Sequence, residues 1–353
     1  MESSADQWIH TARNQLQGSR INFFQVKPAR FWFDFLLSVT IAYAAASFYL
    51  ESPLFSWRQF VAFPLAVFWL YRVGSLIHEV AHLSQFEMRP FKVVWNLVVG
   101  VMTLSPSPFF TRHHRDHHTQ QMYGTPTDPE YVVNIWQRGS WPSMLAYLGL
   151  IALFPLLVFL RFLLVPLTYL HPRLRKWTLT RASSMTLNWR YVRKLNSHDR
   201  WAIAAVEWPC FFRAALIPAL VLLGVNPWWR IPQLYLLGFT ILLMNQARQL
   251  ADHHFDGEGD NFGLSQHIQD SCNYTSRDLL TWLFFPFAIR YHALHHLFPT
   301  LPYHNLKAAH AFLLRELPAD SPYRALDQPH WWSVARKMFQ VQPRRRIPLE
   351  RAA

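Results

Sequence analysis

Residues 31–50 form an apolar run broken by a single charge, Asp34, and residues 60–77 form a second broken only by Arg72. About 20 predominantly apolar residues in a helix cross the hydrocarbon core of a bilayer, so these runs confine the chain to membrane-inserted architectures. Further apolar stretches lie at 91–110, 143–171, 209–226 and 231–251. Core helices of a soluble protein would have to account for all of these runs together with sixteen tryptophans. The expected fold is an all-α integral membrane protein. Residues 1–30 are polar and lack the apolar core of a cleavable signal peptide, so an internal span must direct insertion.

The positive charges between the runs orient it. Arg13, Arg20, Lys27 and Arg30 precede the first run, whereas residues 51–57 hold no Lys or Arg, which places the N-terminus in the cytoplasm. Segment 172–200, with Arg173, Arg175, Lys176, Arg181, Arg190, Arg193, Lys194 and Arg200, lies inside by the same rule. Run 91–110 ends in Ser105-Pro106-Ser107-Pro108, and run 143–171 contains Pro155, Arg161 and Pro166, so both read as broken, interfacial or re-entrant segments. Pro227-Trp228-Trp229-Arg230 makes a short turn between the last two runs. Four spans result (31–50, 59–77, 209–226, 231–251), with both termini cytoplasmic. The chain divides into a cytoplasmic segment 1–30, a membrane-embedded catalytic domain 31–315 and a basic tail 316–353.

A net charge of +13 points to anionic partners, but no base-reading module accompanies it. Nucleic acid is thereby set aside in favour of anionic membrane lipid and an acidic redox protein. Cys210 and Cys272 sit in no metal-binding spacing and make no disulfide framework.

Histidine occurs eighteen times, and half of the copies fall in tight groups. His78-Glu79-Val80-Ala81-His82 places two imidazoles four residues apart, on one face of a helix. With the span starting near Gln59, these histidines lie roughly 29 to 35 Å along it, past the hydrocarbon. In Arg112-His113-His114-Arg115-Asp116-His117-His118, residues His114, His117 and His118 converge at i, i+3, i+4, and His292, His295 and His296 repeat that spacing. The doubled His113-His114 leaves the register of this second group open. Asn245, Gln249 and His253 form a polar row at the end of the last run, where His253 makes a ninth candidate ligand, His254 competes with it, and Gln249 is a partner for metal-bound water. Nine imidazoles exceed the four ligands one zinc takes, so two metal ions are expected. Imidazole suits iron, copper, nickel and zinc alike and does not name the metal.

These groups, HxxxH, HxxHH and HxxHH in this order with spans between them, resemble the histidine boxes of the membrane fatty acid desaturase and hydroxylase superfamily. Residues 291–306, YHALHHLFPTLPYHNL, and Leu250-Ala251-Asp252-His253 carry the closest likeness, to bacterial desaturase-like proteins. The resemblance spans residues 30–315. It implies two iron ions, O2 as co-substrate, electrons from a separate donor such as ferredoxin with its reductase, and hydrogen abstraction from a fatty acyl chain. The implied ligands and catalytic residues are His78, His82, His114, His117, His118, His253, His292, His295 and His296. Gln249 stands where animal acyl-CoA desaturases have asparagine. Glu79, Asp116, Asp128, Glu130, Asp252 and Asp270 are candidates to accept the imidazoles' other N–H groups.

Two rivals use the same residues. His78-Glu79-Val80-Ala81-His82 is also the HExxH signature of zinc proteases, which leaves both HxxHH groups without a task. A metal transporter or haem carrier would place its ligands nearer the bilayer midplane. Within the superfamily, desaturation is the leading expectation; oxidative decarboxylation of a free fatty acid to a 1-alkene and hydroxylation are the alternatives. The expected location is a bacterial inner membrane, with the metal site on the cytoplasmic side. The remaining histidines, including His267, His304 and His310, are expected to be surface or packing residues.

Overall fold

The computed structural model describes residues 6–257 and 262–340, and its helices follow the apolar runs. After α1 (Gln7–Gln17), α2 (Pro28–Glu51) opens with a proline, whose fixed φ suits the first helical position. Ser56 caps α3 (Trp57–His82) by accepting the Gln59 amide. The α2–α3 hairpin buries Ala42, Ala46, Ala62 and Ala66, small side chains that let helix backbones approach closely. Phe33, Leu36, Phe60 and Leu65 point outward, as lipid-facing residues do.

Next, α4 (Arg89–Trp95) runs on as a π-helical turn, 96–101, and α5 (Ser107–His117) carries the second histidine group. Asn96 clasps the corner between them: its amide donates to the Ser107 hydroxyl at 2.9 Å and its carbonyl accepts the Ser107 N–H at 2.8 Å. The chain continues through α6 (Trp141–Leu163), α7 (Val165–Thr168), α8 (Pro172–Arg181), α9 (Ser197–Leu222) and α10 (Arg230–Asp252).

Among the described residues, four helices are long and apolar enough to cross a membrane: α2, α3, α6 and α9. Three coincide with expected spans. The fourth, α6, corrects the expectation that Pro155 and Arg161 break run 143–171, because the helix is continuous through both. Arg161 is tolerated because its guanidinium is paired with Glu207 and hydrogen-bonded to Ser183 and the Ala182 carbonyl. The expected span 231–251 is α10, a 23-residue helix made less apolar by Arg230, Gln233, Gln246, Arg248 and Asp252.

Connectivity separates α6 from α10. Immediately before α6, Arg138 hydrogen-bonds the His254 carbonyl and Gly139 N–H bonds Met338 O, at the histidine-bearing end. After it, Asn188 donates to Asp128 O at 2.8 Å and Tyr191 to Asp116 at 2.7 Å, again beside the second histidine group. The intervening chain therefore makes an even number of crossings, and α7 and α8, of 4 and 10 residues, are too short to carry it back across. Thus α6 enters and leaves on one side. By contrast, α10 starts at the far end, where Arg230 pairs with Glu51 at the close of α2 at 2.7 Å, and finishes at His253. The crossing helices are α2, α3, α9 and α10.

The remainder covers the histidine-bearing end: α11 (Leu264–Asp270), β1 (Asn273–Tyr274), α12 (Leu279–Phe284), α13 (His292–Leu297), α14 (Tyr303–Glu316), β2 (Asp327–Gln328) and α15 (Trp331–Ala335). β1 pairs in parallel with β2, Asn273 opposite Asp327, and Met338 is buried. At the other terminus Ile9, Ala12 and Leu16 are buried, and the Trp8 indole donates to Ser265 at 2.9 Å. Both end segments are thus packed onto the body. The basic stretch beyond residue 340 lies outside the described residues.

Candidate metal centre

All nine expected histidines converge. Helix geometry supplies two from the end of α3, three from α5 and its C-cap, three from α13, and His253 from the C-cap of α10. They sort into two sets. Each of His78, His82, His114 and His295 offers a ring nitrogen within 4.8 Å of the others, and so does each of His117, His253, His292 and His296. His118 completes the first set, its Nε2 lying 3.3 Å from His114 Nε2 and 3.1 Å from His295 Nε2. Its ring also stacks on His296, centroids 4.2 Å apart, which makes the two sets neighbours.

The second set shows what the arrangement demands. His117 donates its Nδ1 proton to Asp128 at 2.8 Å. His253 donates to Tyr123 Oη at 2.8 Å, and that hydroxyl in turn donates to Asp270 at 2.7 Å. His296 donates to His267 Nε2 at 2.9 Å. With their Nδ1 protons directed outward, His253 and His296 turn Nε2 lone pairs inward, and His117, which Asp128 keeps protonated in the metal-free protein, presents its inward lone pair once a metal displaces that proton. Yet His117 and His253 Nε2 are 3.2 Å apart, His253 and His292 3.1 Å, and His292 and His296 3.0 Å. Converging lone pairs repel unless a cation lies between them, and four nitrogens about 2.1 Å from one ion sit about 3.4 Å from each other. The donor set fits a metal ion.

The first set is built likewise. His114 donates from Nδ1 to Glu130 at 2.7 Å, and His78 Nδ1 contacts Glu79 at 3.3 Å. His78 Nε2 and His82 Nε2 are buried without a hydrogen-bond partner, as ligating atoms would be before metal arrives. Burial holds His114, His118, His253, His292, His295 and His296 well below the ordinary imidazole range, and so keeps them neutral, the form that ligates. His117 is the exception: burial opposes its charge, but Asp128 outweighs burial and lifts it to about 9. Burial raises Glu130 to about 7.

The two open registers receive a geometric answer. His113 turns away to the Phe109 carbonyl at 3.0 Å, while His114 joins the first set. His254 turns to Lys337 Nζ, at 2.9 Å, and to Cys272. Gln249 is half-buried on α10 and belongs to neither set. Of the six carboxylates, Asp128, Glu130 and Glu79 touch histidines directly and Asp270 acts through Tyr123, whereas Asp252 pairs with Arg248 at 2.5 Å and Asp116 with Arg112 at 3.1 Å. Glu79 also accepts the Tyr303 amide at 3.0 Å, so it is not the free base a zinc protease requires.

His267 and Tyr123 are the supporting residues that spacing did not reveal. His267 lies 29 positions before its partner His296, in no histidine pattern, and corrects its expected role as a surface or packing residue. His304 and His310 stay outside the sets, on Gln25 O and on Tyr323 with Asp327.

A sequence profile described as fatty acid desaturase matches residues 55–327. A ceramide hydroxylase of Caulobacter vibrioides (strain NA1000 / CB15N) is 36% identical over 280 residues, covering 78% of this chain and 78% of its own.

Proposed function

Because this chain belongs to the fatty acid desaturase family, we propose that it is a di-iron, O2-dependent oxidoreductase that hydroxylates the acyl chain of a ceramide-like lipid. The observation that carries this reading is the double histidine set, whose inward nitrogens call for two cations. Zinc has no redox chemistry, which favours iron for an oxidoreductase of this family. Two iron ions, when bound, supply O2 activation and the oxidising power to cleave an unactivated C–H bond. Hydroxylation places one oxygen atom in the product and the other in water, using two electrons and two protons.

The protein's own contribution is positional. Asp128, Glu130, His267 and the Tyr123–Asp270 pair hold the outer imidazole protons and so keep the inner nitrogens aimed at the metals. Burial of the second set excludes bulk water. The acyl chain would approach from the bilayer along α3 and α10, the crossing helices that deliver His78 and His253. In this reading the membrane is a bacterial inner membrane, and the positive charges flanking the apolar runs support a cytoplasmic histidine-bearing end.

Hydroxylation is placed ahead of desaturation because of the relative's activity; the family's commonest outcome keeps desaturation as the second reading. Decarboxylation would need a free carboxylate as substrate. Purified protein, loaded with iron and reconstituted in lipid discs, would be incubated with ferredoxin, its reductase, NADPH and 18O2. The substrate panel is a ceramide, a free fatty acid and an acyl thioester, read by mass spectrometry. A product carrying one 18O atom is expected from the ceramide. Loss of two hydrogens without oxygen gain would select desaturation, loss of one carbon decarboxylation, and no O2-dependent product from any of them would sink the assignment.

A further inference from the structure

The two metal sets differ in their access to solvent. All four histidines of the second set are buried, as are His78, His114 and His295 of the first, whereas His82 and His118 are partly exposed. His82 borders an open cleft of about 250 Å³ walled by Phe24, Phe31, Glu79, Glu87 and Pro302. At this edge, histidines of the centre reach the solvent-facing surface.

Cations crowd the rim of the cleft. Arg115 reaches from α5 to the end of α3 and donates to Ala81 O at 2.7 Å and Leu83 O at 3.2 Å. Lys92 donates to Ser84 O at 2.6 Å and Gln85 O at 3.1 Å. Arg89 lies over Phe86, 4.5 Å from its ring centre, and both are exposed. Burial and the Arg115 charge depress the Lys92 ammonium, as expected where cations outnumber anions. Glu87 on the same loop offsets Lys92, and Asp199 offsets Arg115, which leaves the exposed Arg89 without a carboxylate partner among the described residues. Inside the cleft, by contrast, Glu79 and Glu87 repel a small anion. An exposed aromatic beside an arginine is the composition of a protein-docking anchor, and an unbalanced positive rim steers an acidic partner.

Resting on the oxidoreductase reading above, we propose that the Phe86–Arg89–Lys92–Arg115 rim docks an acidic one-electron carrier protein, which reduces the metal pair through the His82 and His118 edge. Each encounter oxidises the carrier by one electron and reduces one metal ion by one, so two encounters deliver the two electrons of a turnover. The rim, and not the basic 172–200 segment, is then the reductase face. Arg175 and Arg193 of that segment are paired with carboxylates, Glu207 at 2.6 Å and Asp199 at 3.6 Å, whereas Arg115 and Lys92 donate to uncharged carbonyls.

Metal-loaded protein in phosphatidylcholine discs would be tested for binding of an acidic [2Fe–2S] ferredoxin by interferometry across a salt series. Wild type should bind with an affinity that falls as salt rises. Arg89→Glu should weaken binding about tenfold and flatten the salt dependence, while its metal content and melting temperature match wild type. The double variant Lys176→Glu/Arg181→Glu should bind like wild type. Unchanged affinity in Arg89→Glu, or loss in the double variant instead, overturns the proposal. So does a rim that binds lipid headgroups: Arg89→Glu would then lose only the thermal stabilisation gained from phosphatidylglycerol. Charge-dependent docking without an oxygenated product would sink the substrate reading and leave the docking face standing.

Discussion

Each imidazole of the second set has two nitrogens with separate duties, and the outer one can be changed without touching the inner. His117→Ala or His295→Ala removes an inner nitrogen, so metal content by mass spectrometry and activity should fall together. His267→Phe removes only an acceptor for His296; it should weaken metal affinity by roughly 10- to 100-fold while the protein stays folded. Proton release gives a third test. The folded, metal-free protein holds the His117 proton up to about pH 9, against an unfolded value of about 6.5. The pair thus stabilises the metal-free fold fully below about pH 6.5, and that contribution fades as pH rises through 9. Metal must expel the proton, so binding should strengthen from pH 7 toward 9, and calorimetry in buffers of different ionisation enthalpy should count a released proton. The i, i+3 and i+4 spacings made the ligands legible in the sequence, because helical periodicity is local. They did not separate His113 from His114 or reveal His267, since those depend on how separate elements meet.

At the scale of elements, the buried Glu207 on α9 is held by Arg161 of α6 and by Arg175 of α8 at 2.6 Å. Removing the acid leaves two arginines without their shared partner. Glu207→Gln should cost about 3 kcal/mol in a detergent unfolding titration, as breaking one side of a buried pair does. Two glycines give a matched contrast. A Cβ on Gly100 would meet the Pro106 backbone at 2.9 Å, where the re-entrant corner closes, whereas one on Gly74 of α3 meets nothing within 4 Å. Gly100→Ala should lower the melting temperature, costing roughly 1–3 kcal/mol as overpacking does, and Gly74→Ala should not lower it. The sequence exposed α2, α3 and α9 through apolar length. It misjudged α6 as broken, because Arg161 reads as an interruption until its distant partner Glu207 is in place.

For the molecule as a whole, the four crossings put the α9–α10 turn and the histidine-bearing end on opposite sides of the membrane. Val225→Cys and Asp320→Cys, both at exposed positions, should react with an impermeant maleimide from opposite faces, Val225→Cys from outside. Native Cys210 and Cys272 are buried and should stay silent. Labelling of both variants from one face would contradict the topology. The unequal exposure of the two histidine sets also bears on how metal leaves. An ion in the first set borders the open cleft at His82, whereas one in the second is walled in on every side by buried rings. A chelator should therefore strip the holoprotein in two phases, a rapid loss of one equivalent and a slow loss limited by opening of the fold. Between them lies a long-lived half-emptied protein, and preparations purified in the presence of chelator should trend toward one metal per chain instead of none.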